Sequence, residues 1–263
     1  MKRESSHAEK NYHSYYDLIV QAKDYRKEAG FVDSLIRKHQ ASARELLDVG
    51  CGTGSHDFVF AEKGYTVHGV EQNERLLAGA NVRLSKAAKK IRTAMTFGLA
   101  DARTMNLKRQ FDVVIAMYNV LGYMTANEDA TAFLSAIKRH LRPGGLFICD
   151  CWYGPAFIGQ PPRVRIRRGG DSAKSVLHIA EPVLVDAENK VAVDYTLIVR
   201  DKKSECACEF SEKAAYRFFF MPELKLLFGS AGLTIVETME FMTGKKVECA
   251  TREICVVACN SGK

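Results

Sequence analysis

Three glycines in five positions, Gly50, Gly52 and Gly54, stand between the apolar run "LLDV" and a looser one in "SHDFVF". Where a strand turns into a helix, outward-pointing N–H groups and a missing Cβ let a ligand come up against the main chain. Ser55 occupies the position where the dinucleotide fingerprint G-x-G-x-x-G wants its third glycine, so the spacing argues against a pyrophosphate. Glu71 closes the run "VHGVE", where a carboxylate can hold both hydroxyls of a ribose. Asp101, in "LADA", could accept the exocyclic amine of an adenine or be an exposed loop acid. Tyr118, Asn119 and Tyr123 follow a fourth apolar run, and the pair Trp152–Tyr153 follows a fifth. These five residues either face a ligand or pack the core and the next helix.

The elements that must hold these residues read as alternating strands and helices. Strand-like runs cover Glu45–Val49, Thr66–Glu71, Met95–Leu99, Phe111–Met117 and Gly145–Asp150, with helical patterns between them. One such pattern is Glu128–Leu141, where Phe133, Leu134, Ile137 and Leu141 recur at helical spacing. Five short strands in this order predict an α/β fold with a doubly wound, mostly parallel sheet. That fold puts the glycine turn and the acids at the carboxyl ends of the strands, where open sheets bind ligands. The pattern changes from Arg163 to Phe220. Alternating stretches at Val164–Arg167, Ser175–Ile179, Val191–Arg200 and Glu209–Phe219, divided by "RGGD" and "DAENK", predict inserted antiparallel hairpins. A helix over Pro222–Ala231 and strands over Leu233–Phe241 and Ile254–Cys259 close the chain.

Composition narrows the function classes. With 263 residues and 47% hydrophobic content the chain can bury a sizeable core, and its polar first thirty residues predict no secretory signal. No stretch reaches the roughly 20 apolar residues of a membrane span, which predicts a cytoplasmic protein without a membrane partner. A net charge of +7 permits an anionic partner without demanding one. The run "RVRIRR" is either a solvated strand face or a ligand site. Cys51, Cys149, Cys151, Cys255 and Cys259 sit in or beside apolar runs, and the C-x-C of Cys206 and Cys208 lacks partners at zinc-like spacing, so reduced thiols and no metal site are expected. No motif for holding a flipped base is present, which makes nucleic acid an unlikely substrate, and a homodimer is compatible with the sequence.

The stretch Asp48 to Gly54, with Glu71 and Asp101, resembles the class I S-adenosylmethionine-dependent methyltransferases. The resemblance spans nearly the whole chain. It implies a seven-stranded Rossmann-like sheet whose last strand inserts antiparallel between strands five and six, and S-adenosylmethionine as cofactor. It also implies cofactor contacts from Tyr16, Asp48, Gly50, Cys51, Gly52, Gly54, Glu71, Gln72, Asp101, Ala102 and Met117. Within the class, "YYDLIVQAKDYRKEAGFVDSLI", "AMYNVLGYM", "CDCWYGPAFI" and the hairpin insertion are similar to the dTDP-amino-sugar N-methyltransferases. That similarity implies a single methyltransferase domain over residues 1–263, an N-terminal helical segment (1–43) covering the cofactor, and a β insertion (160–220) forming a substrate lid. It implies substrate contacts from Tyr15, Trp152, Tyr153 and Arg252, the last as a clamp on the diphosphate unless it merely pairs with Glu253 or Glu248. Tyr118, Asn119 and Tyr123 become the catalytic candidates. Tyr123 stands where the family often has His, which removes an imidazole base. The other small-amine acceptor weighed is glycine or a related metabolite, with nucleic-acid methylation a more distant alternative.

Overall fold

A computed structural model of the chain describes Tyr12, residues 15–19 and residues 23–262. Part of the expected N-terminal segment (1–43) therefore lies outside the described residues. The chain divides into two units, residues 24–159 with 217–263 and residues 1–23 with 160–216.

The larger unit is built on a seven-stranded sheet in the order β10-β11-β5-β4-β1-β2-β3. Its strands are β1 (Glu45–Val49), β2 (Thr66–Glu71), β3 (Met95–Leu99), β4 (Phe111–Ala116), β5 (Leu141–Trp152), β10 (Leu233–Glu240) and β11 (Glu253–Asn260). β1 to β5 pair in parallel, and β11 runs antiparallel between β5 and β10, as the resemblance implied. The inner strands β1, β4, β5 and β11 are apolar on both faces because both are covered. Leu46, Val113, Ile115 and Ile148 face one core with Val32 and Ile36 of α2 (Tyr25–His39) and Phe60 of α3 (Ser55–Glu62). Leu47, Val114, Phe147 and Cys149 face the other with Phe133 and Ile137 of α6 (Asn127–Arg139) and Phe228 of α8 (Met221–Ser230). Each large apolar side chain so buried contributes about 1.5–3 kcal/mol before conformational entropy is set against it.

Boundaries differ from the sequence pattern for local reasons. Leu141 belongs to β5 rather than to the preceding helix, because buried His140 breaks the run. Its carbonyl takes the N–H of Phe111 at 2.8 Å and its Nε2 takes that of Leu107 at 2.9 Å, bonds that a further helical turn could not supply. All eight cysteines are free thiols.

The smaller unit is a four-stranded sheet in the order β6-β7-β8-β9. Its strands are β6 (Arg165–Gly170), β7 (Lys174–Val185), β8 (Lys190–Asp201) and β9 (Ala207–Arg217). β7 continues past Ile179 through Pro182, because β6 pairs only as far as Ala180 and the missing N–H falls on the open side. The "RVRIRR" arginines in β6, Arg165, Arg167 and Arg168, are exposed on this edge strand. Tyr12, Val176, Leu197, Val199 and Phe210 form the unit's own core, joined by Tyr15, Leu18 and Ile19. Among the described residues no helix is long and apolar enough to cross a membrane.

Candidate cofactor and substrate site

In the larger unit, Asp48, the glycine turn, Glu71, Gln72, Asp101, Ala102, Met117, Tyr118, Asn119, Trp152 and Tyr153 all sit at or just past the carboxyl ends of β1 to β5. Arg252 joins them from the other direction. It precedes β11, whose Glu253 pairs with Trp152, and its carbonyl accepts the Tyr153 N–H at 2.9 Å.

The three glycines do two different jobs. All have left-handed φ, 76° at Gly50, 58° at Gly52 and 77° at Gly54. A Cβ on Gly50 would lie 2.7 Å from Val120 Cγ2, and one on Gly54 would lie 2.7 Å from Phe97 Cζ, so these two are glycines for packing as well as for conformation. A Cβ on Gly52 would meet nothing within 4 Å. Gly52 is therefore where the backbone faces open space, and the open cradle fits the methionine end of S-adenosylmethionine. Glu71 braces the turn from below: Oε2 accepts the Gly52 N–H at 3.0 Å and Oε1 the Asn73 N–H at 2.8 Å. Each oxygen keeps a second lone pair for a ribose hydroxyl.

Asp101 is more heavily engaged than its position suggested. Arg103 grips both carboxylate oxygens, with Nη2 at 2.6 Å from Oδ2 and Nε at 3.0 Å from Oδ1, and reaches Asp129 at 3.0 Å. These hydrogen bonds hold the Asp101 carboxyl below its ordinary range. An adenine amine would share that carboxylate with Arg103.

The turn after β4 has left-handed backbone without glycine. Tyr118 and Asn119 have φ of 69° and 60°, a conformation that costs a residue with a Cβ about 1–2 kcal/mol. Buried Asp150, at the end of β5, accepts both N–H groups, at 2.5 Å from Tyr118 and 2.8 Å from Asn119. Consecutive N–H groups of this kind form an anion hollow, here filled by the protein's own carboxylate. Asn119 is 6% exposed, its Oδ1 takes the Trp152 N–H at 3.2 Å, and a Cβ on Gly122 would fall 2.4 Å from its Nδ2. Its side chain fixes the turn. Tyr118 and Tyr123, 44% and 50% exposed, are the side chains on offer.

At the end of β5, Trp152 stacks on Phe157 with centroids 4.9 Å apart, Phe157 stacks on Phe218 at 5.6 Å, and the Arg252 guanidinium lies 5.3 Å from the Phe157 centroid. Tyr15 and Tyr16 belong to the smaller unit, where the Tyr15 ring packs 5.6 Å from Phe210 and takes the Lys174 ammonium at 5.1 Å.

Sequence reasoning missed Asp150, Arg103 and Phe157. An acid inside an apolar strand end, "CDCW", was a usable signal for Asp150. Arg103 and Phe157 carried none, since an arginine in a polar loop and a phenylalanine in an apolar run are ordinary.

Residues 46–145 match the family model described as a methyltransferase domain. A dTDP-3-amino-3,4,6-trideoxy-alpha-D-glucopyranose N,N-dimethyltransferase of Streptomyces venezuelae is 29% identical over 84% of this chain and 89% of its own length. The crystal structure of Streptomyces venezuelae DesVI, 25% identical, superposes with a TM-score of 0.75 over 97% of this chain and 99% of that one. An S-adenosylmethionine-dependent methyltransferase from Clostridium acetobutylicum, 21% identical, shares the fold with a TM-score of 0.78 over 95% of this chain and 98% of that one.

Proposed function

This chain is an S-adenosylmethionine-dependent methyltransferase of class I, and we propose that the group it methylates is the amino group of a dTDP-linked amino sugar. The cofactor supplies a methyl group carried on a sulfonium, open to in-line displacement by an uncharged amine. What the chain adds is position. Holding an amine about 3 Å from the methyl carbon supplies most of the acceleration, so a strong base is not required. The Gly52 backbone and Glu71 hold the cofactor end. Tyr118 and Tyr123 present phenols that can orient the amine and, directly or through water, accept its surplus proton.

The observation that carries the acceptor assignment is the pairing of Arg252 with the aromatic stack at the end of β5. Trp152, the partly exposed ring of that stack, suits a sugar or thymine face, and a guanidinium can bind a diphosphate through two parallel charge-assisted bonds. The name of the Streptomyces venezuelae relative, a dTDP-amino-sugar dimethyltransferase, supports the same substrate class. We take the enzyme to act in the cytoplasm, and size-exclusion chromatography would show whether it does so as a homodimer.

Mass spectrometry on a panel of dTDP-amino hexoses, the same sugars without nucleotide, and glycine tests the assignment. Methylation of glycine but of no dTDP-sugar would overturn it. Arg252→Lys should raise KM for the dTDP-sugar about tenfold, the equivalent of roughly 1.4 kcal/mol, and leave kcat within a few-fold, because a contact remote from the amine binds ground and transition states alike. Equal, small losses on the sugars with and without nucleotide would remove Arg252 from the diphosphate.

A further inference from the structure

At the end of the seven-stranded sheet opposite the glycine turn, the larger unit gathers charge that the methyl transfer does not use. A cavity of about 580 Å³ opens there, at the amino ends of β1, β4 and β5. Glu45 begins β1, Arg142 is the second residue of β5, Arg139 ends α6, and Lys108 and Arg109 stand in the loop that leads into β4. From this end β1 and β4 run five and six residues to the glycine turn and to the Tyr118 turn, so roughly 15–20 Å of strand separates the cavity from the cofactor end.

Four cations and one carboxylate line the cavity. Glu45 is shared between two of them: Oε1 accepts Arg109 Nη2 at 2.9 Å and Oε2 accepts Arg142 Nη2 at 2.5 Å. Arg142 also pairs with Asp112, whose other oxygen accepts the N–H groups of Arg44 and Glu45 at 2.8 Å and 2.9 Å. Lys108 and Arg139 pair with no acid among the described residues, and the Arg139 guanidinium reaches only the Met105 carbonyl, at 3.3 Å. The excess is therefore positive even with Asp112 counted. Cations gathered in a cleft repel one another and focus their field on an incoming anion. His140 adds neither charge nor donor: burial holds its imidazole below the ordinary range, Nδ1 donates to the Ala136 carbonyl at 2.7 Å, and Nε2 accepts the Leu107 N–H at 2.9 Å. The α6 carbonyls that would repel an anion, Ala136 and Ile137, are taken up by the His140 N–H.

We propose that this cavity is a second binding site, for the phosphates of a compact polyphosphate, with Lys108 and Arg139 as the cations that the ligand neutralises. Arg109 and Arg142 frame it. Arg109 is held in place by Glu45 and by the Phe111 ring, 4.8 Å from its guanidinium, and a fixed planar fork is the donor that suits phosphate oxygens. The volume lies within the roughly 300–1,000 Å³ of small-ligand sites. The remaining lining residues, Asn106 and Gln110, are amides, so the cavity offers hydrogen bonds rather than an apolar surface. Among the described residues that line it there is no Phe, Tyr or Trp, and a single-stranded nucleic acid would find no ring on which to stack its bases. The cations also converge on one cavity instead of tracking a strip, which favours a short anion over a long one.

The site is independent of which amine is methylated. It is tested by calorimetric titration of the full chain with sodium tripolyphosphate, with S-adenosylhomocysteine present at saturation so that the cofactor end is filled. Wild type should show a saturable site. Lys108→Gln and Arg139→Gln should each weaken it about tenfold or more, the loss of a hydrogen bond to a charged group, and Lys108→Glu should abolish it. Both side chains are exposed, so the variants should keep the fold, and S-adenosylmethionine binding and turnover should stay at the wild-type level. Arg252→Lys separates this site from the acceptor end and should bind tripolyphosphate as wild type does. Adenosine triphosphate separates the two sources of the same chemistry: equal or weaker affinity marks a free polyphosphate as the ligand, and tighter affinity marks the tail of a nucleotide. No binding by wild type, binding unchanged in Lys108→Glu and Arg139→Gln, binding lost in Arg252→Lys, or tighter binding of a single-stranded RNA oligonucleotide than of tripolyphosphate would each overturn the proposal.

Discussion

The turn after β1 and the turn after β4 use the same left-handed backbone and hold it in opposite ways. In the first, glycines take the conformation without strain, and Glu71 accepts the N–H groups of Gly52 and Asn73. In the second, Tyr118 and Asn119 take it at a cost, and Asp150 accepts both their N–H groups. Each turn is tied by one buried carboxylate from the neighbouring strand end. The difference lies in what each turn has to present. One leaves a bare backbone at Gly52 for a ligand to lie against, and the other displays the Tyr118 side chain. Strain retained without glycine is a mark of a position where the side chain matters.

The comparison breaks most completely at Gly52. Gly52→Val should reduce S-adenosylmethionine binding below detection in calorimetry, since its side chain would enter the open cradle, while the left-handed φ costs about 1–2 kcal/mol of stability and leaves the fold intact. Normal binding by a folded variant would mean that the turn serves only the bend from strand to helix. Asp150→Ala attacks the other turn. Two N–H groups lose their acceptor at about 1–3 kcal/mol each, so chemical denaturation should show a loss of about 2 kcal/mol or more. A loss below 1 kcal/mol would show that water or a shifted backbone replaces the carboxylate.

Glu71→Ala should weaken S-adenosylmethionine binding by roughly 1.5–3 kcal/mol, the size of a hydrogen bond to a charged group. Unchanged affinity in titration would confine Glu71 to bracing the turn. The smallest effect has the opposite sign: Tyr118→Gly relieves the strain and should gain up to about 1 kcal/mol in thermal unfolding, offset by glycine's unfolded-state entropy. The same variant should lose turnover if the phenol orients the amine. A variant that unfolds more easily yet turns over normally would show that the Tyr118 ring is there for packing.

What the sequence determined by itself is local and periodic. Apolar runs of five or six residues separated by helical repeats located β1, β2 and β3 to the residue, although only β1 is buried along nearly its whole length and β3, at the sheet edge, leaves Thr96 and Leu99 exposed. The glycine spacing and Glu71 pointed to the ligand end of the sheet because left-handed backbone and a strand-end acid leave a readable trace. Tertiary structure alone decided which glycine faces open space, since Gly50 and Gly54 differ from Gly52 only in what Val120 and Phe97 bring near them. It alone decided that Asp101 is gripped by Arg103. It also turned Asn119 inward and left Tyr118 outward, through a carboxylate thirty-one residues further along the chain. Pairings of that range depend on which strand ends lie side by side, and no periodicity along the chain records them.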